Sequence, residues 1–478
     1  MSTTRRIRIE RSVPIIEQGL AQIQAEMKLP LAFPDDVETA AAQAALHPRL
    51  PDLDRSDIAL VTIDPAGSMD LDQAMFVERI ADGRFRVYYA IADVAAFVTA
   101  GDAIDVEANK RGETLYGANS KIPLHPKILS EGAASLLPDQ LRPALLWTID
   151  LDTTGEGVGV DVRRARVKSR ARLDYAGLQQ QIDAGSADPM WTVLREIGEL
   201  RKNREQARGG ISLSLPEQEI RNDNGQWMVA FRARLAVEDW NEQISLLTGM
   251  AAAHLMVKAK VGILRTLPDP DPASIARLRR TASALGIVWP DAQTYPEFIR
   301  SLDPTKPTHI AMLTSCTSVL RGAGYVAFNG TLPAQPRQSA LAAEYAHATA
   351  PLRRLVDRYT GEVCVALCAQ QPVPAWALAA LPGLPATMQA SDRRAHKYER
   401  AVIDLVESIV MAPRVGQLFD ATIVEVTPND LRQGIAMLRD PAIEAPIAGA
   451  ANLPLGAAIK VKLVAVDPST RTIRFEPA

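Results

Sequence analysis

The chain reads as an α+β protein that ends in a small all-β barrel. Three observations predict this. Strand-like runs at Ile58 to Ile63, Ala74 to Val77 and Phe85 to Ala92 come before a long helix-rich stretch. Strands and helices fall in blocks of mixed order, without the regular alternation of βαβ winding. After Pro413 the texture turns back to short β runs separated by Pro, Asn, Asp and Gly. At 478 residues the chain exceeds one compact core, since a domain takes about 100–200 residues. Three parts are expected: a small helical N-terminal element over 1–50, a mixed α/β body over 51–412 and a barrel over 413–478.

The N-terminal element is a basic tail followed by two helices. Ser12 is placed to cap the first, which carries Ile15, Ile16, Leu20, Ile23 and Met27 on one stripe, and Asp35 or Asp36 caps the Ala-rich stretch 37–46. The pair fits a helix-turn-helix, and equally a plain packing element. Further helices are expected over 189–207, 238–260, 272–285, 309–321, 340–369 and 386–411. In the tail, Leu418 to Val426, Ile435 to Leu438, Ile459 to Val466 and Thr472 to Phe475 suit a small all-β barrel of the OB type. Its aromatics are only Phe419 and Phe475, so nucleic-acid binding and a purely packing role both fit.

Composition narrows the setting. No uninterrupted apolar stretch of about 18 residues occurs, so no membrane span is expected. Met1 to Arg11 is basic and polar with no apolar core behind it, which does not suit export. Three cysteines, Cys316, Cys364 and Cys368, make no disulfide framework and suit a reducing cytoplasm. A net charge of −3 carries no global nucleic-acid signature. One local patch does: Arg164, Arg166, Lys168, Arg170 and Arg172 alternate with small or apolar residues, so a strand there puts five cations on one face. Such a face tracks phosphates, or guards a sheet edge by charge.

The chemistry concentrates in Asp64-Pro65-Ala66-Gly67-Ser68-Met69-Asp70-Leu71-Asp72-Gln73. Asp64 follows an apolar strand, Pro65 and Gly67 support a loop, and Asp70 and Asp72 point the same way in extended chain. Two carboxylates about 4 Å apart repel by roughly 4 kcal/mol at an effective dielectric of 20. With no Arg or Lys between Asp64 and Asp72, a divalent, oxygen-ligated ion such as Mg²⁺ or Mn²⁺ is the leading occupant. The three residues alone also fit a structural calcium loop or an acidic turn.

Four blocks, TIDPAGSMDLDQAM, AIADVAAFV, LYGANSKIPLHPKILSEGAASLLPDQLRPAL and EYAHATAPLRRLVDRY, resemble in order and spacing the catalytic (RNB) domain of the RNase II family of exoribonucleases. The likeness runs from about Asp54 to Ala412, and VGQLFDATIVEV resembles the start of that family's C-terminal RNA-binding OB domain. The resemblance implies processive 3′-to-5′ hydrolysis of single-stranded RNA to nucleoside 5′-monophosphates, with magnesium, by a monomer. It makes Asp64, Asp70 and Asp72 three of four acidic, metal-holding residues and places Arg353, followed by Arg354, at the scissile phosphate. It also makes Tyr116 an aromatic against the terminal nucleotides and Glu242 a contact to the 3′-terminal ribose. Arg166, Lys168 and Arg170 are then candidate RNA contacts, and His347 is either a phosphate contact or structural.

The chain departs from the family pattern in four places. Gln73 stands at the fourth acidic position. Either an ion is held more loosely, or Asp93 substitutes, or Mn²⁺ is favoured, or hydrolysis is lost and the chain is an RNA-binding or regulatory protein. Leu213 stands where a clamp phenylalanine is common, and Gly361 where a histidine is. Fifty N-terminal residues leave no room for two cold-shock domains, so a more open channel mouth and closer approach to duplexes with a 3′ overhang are expected.

Overall fold

The computed structural model describes residues 14–117, 121–213, 217–223, 226–232, 234–438 and 440–478. The expected cap at Ser12 lies outside them. Two helices come first, α1 (Pro14–Glu26) and α2 (Asp35–Leu46). They do not form a helix-turn-helix. Ile16, Leu20 and Ile23 of α1 pack against Tyr398, Val402 and Val406 near the far end of the chain. Val37 and Ala41 of α2 join a different core with Leu60, Phe97 and Ile104. The heptad-like stripe found a partner, but that partner is the body and not the neighbouring helix.

A short strand, β1 (Thr62–Asp64), leads into the acidic loop, which ends where β2 (Gln73–Arg79) begins. Next come β3 (Phe85–Ala92), α3 (Ala103–Arg111) and the short pair β4 (Leu115–Tyr116) and β5 (Lys121–Ile122). The long strands β6 (Leu141–Leu151) and β7 (Gly157–Lys168) complete an antiparallel sheet of order β2-β3-β6-β7. Period-two alternation gives this sheet two buried faces. Val87, Tyr89, Ile91, Leu145, Trp147 and Ile149 face one core, and Ala90, Ala92, Ala144, Leu146, Ala165 and Val167 face the other. The small residues on the second face admit α2 and α3 closely.

β8 (Arg172–Asp174) pairs parallel with β1, putting Asp174 opposite Asp64. Helices α4 (Tyr175–Asp183), α5 (Met190–Ala207) and α6 (Ala236–Ala259) then cover the larger-residue face, with Leu194, Ile197, Val237, Trp240 and Ile244 in that core. Between α5 and α6 lies a hairpin of β9 (Glu217–Asp223) and β10 (Gln226–Arg232). β11 (Val261–Thr266) follows, then α7 (Pro272–Ala284), α8 (Tyr295–Ser301), α9 (Pro307–Cys316) and β12 (Gly324–Asn329), which pairs with β11.

The expected helix over 340–369 is only half right. Residues 343–344 form a two-residue strand, and helix α10 begins at Leu355 and ends at Cys368. Pro351 and the pull of buried carboxylates on the backbone keep 349–354 irregular, as the site below shows. After α11 (Ala375–Ala380), the long helix α12 (Leu384–Met411) runs to the barrel. Five strands, β13 (Leu418–Thr427), β14 (Asp430–Leu438), β15 (Glu444–Ala448), β16 (Ala458–Asp467) and β17 (Thr472–Pro477), close in the order β13-β14-β15-β17-β16. That order, with one parallel pair between β15 and β17, is the Greek-key closure of an OB barrel. Val424 and Met437 dock the barrel on Ile310 and Leu313 of α9. Both barrel aromatics face inward, Phe419 and Phe475 meeting edge to face at 6.1 Å. Among the described residues no helix is long and apolar enough to cross a membrane.

Candidate active site

Asp72 is the centre of the site. Its carboxylate is buried at the mouth of β2, where Oδ1 accepts the Leu352 N–H at 2.7 Å and Oδ2 lies 3.4 Å from Arg353 Nε. Burial pushes its pKa up to about 8. Arg353 and the Leu352 N–H oppose that rise, and Asp70 and Asp357 add to it. The side chain is thus short of positive charge even beside an arginine.

Arg353 sits on a loop that is pinned from several sides. Asp357, in the first turn of α10 and fully buried, accepts the Ala350 N–H at 2.7 Å and receives Arg354 through Nε and Nη2 at 2.6 and 2.8 Å. Thr114 N–H donates to the Arg353 carbonyl at 2.9 Å, and Leu355 N–H to that of Gly112 at 3.0 Å. Arg354 is therefore a structural strut, while Arg353, 39% exposed, presents its guanidinium at the surface of the site. Tyr116 lies within electrostatic reach of Arg353 and is 41% exposed, which leaves ring surface for a ligand.

Gln73 does not stand idle at the fourth acidic position. Its Nε2 donates to the Thr349 carbonyl at 2.6 Å and its Oε1 accepts the Tyr89 hydroxyl at 2.7 Å. The Thr349 hydroxyl in turn meets Ser245 Oγ at 2.9 Å. An amide suits this position because only a group that both donates and accepts satisfies the two partners. Glu242, one turn before Ser245 on α6, comes to the same side of the site and is paired with Arg234 at 2.8 Å.

Asp64, Asp70 and Asp72 come onto one loop, but not into a shared cage. Asp70 Oδ1 pairs with Lys121 Nζ at 2.7 Å, and that ammonium also lies 3.1 Å from Glu131. Among the described residues no three His, Cys, Asp or Glu side chains stand together as a metal cluster. The donor types on the loop, carboxylate oxygens only, are those that a hard divalent cation takes. Arg172, from the strand after β7, donates to the Ser68 carbonyl at 3.2 Å and so braces the loop from outside.

Asp93, His347 and the cationic stripe each have more than one reading in the sequence. Asp93 does not substitute for the missing acid, because its carboxylate is buried against Arg164 at 2.9 Å, and Arg164 also binds Glu362. His347 is not aimed at a phosphate. Its ring packs against Tyr325 and Tyr345, shares a 2.7 Å hydrogen bond with the Tyr325 hydroxyl, and is held neutral by burial and by Arg354 and Arg265. The cations of the stripe have partners within the chain. Arg166 pairs with Asp54 at 3.4 Å, Lys168 with Asp139 at 3.5 Å, and Arg170 donates to the Asp57 carbonyl at 3.0 Å. Residues 53–55 run alongside Arg166, which donates its N–H to the Leu53 carbonyl at 2.8 Å, so this edge of β7 is covered there by chain as well as by charge. Sequence reasoning missed Lys121, Glu131, Asp357 and Tyr89. The signal for Lys121 was its place across a hairpin from Tyr116, with which it pairs in register.

This fold is that of the RNB domain class. The RNB domain description matches residues 53–367, and that of the RNase II-type exonuclease C-terminal S1 domain matches residues 417–478. The chain belongs to the RNB family. It is 27% identical to Ribonuclease R of Escherichia coli (strain K12) over 433 residues, 84% of this chain and 52% of that protein. Exosome complex exonuclease RRP44 homolog A of Arabidopsis thaliana is 27% identical over 66% of this chain and 35% of its own length. The chain spans about half the length of the curated relatives it matches, or less. Among solved structures, RNase R of Mycoplasma genitalium in complex with ribose methylated single-stranded RNA superimposes with a TM-score of 0.86 at 20% identity, over 97% of this chain and 78% of that one. Yeast Ssd1, a pseudonuclease, superimposes at 0.72 with 17% identity, over 96% and 57%. At these identities the likeness is one of fold.

Proposed function

We propose that the chain is a divalent-metal-dependent hydrolytic exoribonuclease that shortens single-stranded RNA from its 3′ end, processively, to nucleoside 5′-monophosphates. The observation that carries this reading is the grip on Asp72. A buried carboxylate short of positive charge, fixed by the Leu352 N–H and set beside a part-exposed arginine, is arranged to meet a cation and a phosphate together.

Asp72, with Asp64 from the head of the same segment, would hold Mg²⁺ or Mn²⁺, which when bound supplies Lewis acidity at the scissile phosphate, while Asp70 is paired with Lys121. Arg353 pairs with non-bridging phosphate oxygens, a task for which a permanently charged fork is suited. Tyr116 stacks on a terminal base, worth about 1–3 kcal/mol. Gln73 and Asp357 hold the arginine loop so that Arg353 meets Asp72 at the right place. RNA with a 3′ overhang is a further substrate class, and the protein acts as a monomer in the cytoplasm, a reducing setting that the three free thiols suit.

A second reading rests on a specific observation. Gln73 is committed to Thr349 and Tyr89, and Asp70 to Lys121, so two positions that would carry free charge toward a metal do not. On that reading the chain binds RNA and has weak or no hydrolysis. A time course on single-stranded and 3′-overhung RNA, labelled at either end, with Mg²⁺, Mn²⁺ or EDTA, separates them. Progressive 3′ shortening with mononucleotide release, abolished by EDTA, is the expected result. Tight binding without products under every ion selects the second reading.

A further inference from the structure

We propose that Lys121 is a built-in cation of the acidic site: its ammonium neutralises Asp70 in the place where a second divalent ion would otherwise bind, so that the site takes one ion. The inference rests on the metal-dependent reading above and adds the stoichiometry and its cause.

The geometry is specific. Lys121 Nζ lies 2.7 Å from Asp70 and 3.1 Å from Glu131, at 22% exposure, between two carboxylates that approach from different parts of the chain. Asp70 is on the acidic loop. Glu131 is on the tight helical turn Leu129–Ala133, whose Leu129 and Ser130 are buried, so its position is set by packing. Lys121 opens β5 directly across from Tyr116 of β4, and this pairing brings an exposed aromatic and an ammonium side by side. A long surface lysine pays rotamer entropy to hold one carboxylate, and such a pair contributes little. Here the side chain is mostly covered and has two acceptors.

The charges around it agree. Asp72 has Arg353 beside it, and Asp70 has Lys121. Position 73 brings an amide bound to protein partners, and Asp93 is bound to Arg164. Asp70 already has an ammonium, and one divalent ion is assigned to Asp64 and Asp72. A second ion beside Asp70 would lie against the Lys121 ammonium, and that repulsion opposes its binding.

The test is Mn²⁺ binding to the full chain without RNA, by calorimetry and by electron paramagnetic resonance. Wild type is expected to bind one tight ion. Lys121→Met is expected to gain a second ion, or to tighten Mn²⁺ by about ten- to a hundredfold, the scale of removing a like charge a few ångströms from a divalent ion. Lys121→Arg, which keeps the charge, should bind like wild type. Glu131→Gln gives a second arm that survives if Lys121→Met fails to fold: with one acceptor gone the ammonium belongs to Asp70 alone, and Mn²⁺ affinity should not rise. Two tight ions in wild type, unchanged stoichiometry and affinity in Lys121→Met, or tighter Mn²⁺ in Glu131→Gln overturns the proposal. None of these readouts depends on RNA cleavage, so failure of the nuclease reading is recognised separately, as RNA left intact by a protein that binds one ion.

Discussion

An amide at position 73 satisfies two buried partners that no carboxylate satisfies together. Gln73 Nε2 donates to the Thr349 carbonyl while Oε1 receives the Tyr89 hydroxyl, and Tyr89 has no contact with solvent. Gln73→Glu keeps the length but turns a donor toward Thr349 into a charged acceptor. It should cost about 1–3 kcal/mol, the penalty of a buried polar group left unpaired. A drop in melting temperature that Mg²⁺ partly restores is the expected outcome. Asp72 gives a pH signature at the same scale. Its folded pKa of about 8 lies above its ordinary 3.8, so the fold favours the protonated form. That stabilisation is complete below about pH 4 and is lost as pH rises through 8. In EDTA the melting temperature should fall over this interval, and Asp72→Asn should flatten the fall. A slope equal in the two proteins would refute it. Of these residues Asp72 and Arg353 were legible, because each sits in a dense local pattern. The roles of Gln73 and Lys121 were not, since their partners Thr349, Tyr89, Asp70 and Glu131 are brought to them only by the fold.

The element that matters most is the irregular loop at 349–354, and the reason it is not helix also explains its function. Asp357 takes the Ala350 N–H and Asp72 takes that of Leu352, so two backbone donors are drawn to carboxylates from outside any helical ladder. A pattern of apolar spacing over 340–369 sees neither carboxylate. Strands were easier to read, because alternation in β2 and β3 survives in a sheet with both faces covered. The stripe at 164–172 shows the limit of that method. Alternation placed Arg164, Arg166 and Lys168 on one strand, but β7 ends at Lys168, Arg170 lies outside it and Arg172 opens β8, and the acids that pair with the first three come from positions 54, 93, 139 and 362. Asp357→Ala should therefore be severe. It leaves Arg354 buried without its partner, a loss of about 3–5 kcal/mol that denaturant unfolding would measure. A change below about 1 kcal/mol would mean that the loop is held by other means.

At the scale of the molecule, helices, sheet and barrel form one packed arrangement around the acidic loop. α12 receives α1 along its length, Arg471 of the barrel reaches Glu26 of α1 at 2.7 Å, and the barrel rests on α9. The fold class and the OB closure were legible from the block order of strands and helices. The destination of the N-terminal helices was not, because an amphipathic stripe specifies that a face is buried and not what buries it. Charge is also a property of the whole. With a net charge of −3 and the stripe paired internally, RNA affinity has to come from particular cations and not from the overall field. Each phosphate contact adds about 0.7 to the log–log salt slope of single-strand binding. Arg353→Ala should lower that slope by about this amount, whereas Lys168→Ala should leave it unchanged. Anisotropy titrations at several salt concentrations would show a lowered slope in Lys168→Ala if the stripe does carry phosphates.

The central claim is that Asp72 is the residue on which RNA hydrolysis turns and the rest of the site serves it. Paired measurement of RNA affinity and 3′ cleavage in wild type and Asp72→Asn, in Mg²⁺, tests it most directly. The expected result is mononucleotide release by wild type and its loss in the variant, with affinity kept within a few-fold. Cleavage that persists in Asp72→Asn, or wild-type protein that binds RNA and never shortens it, would contradict the claim.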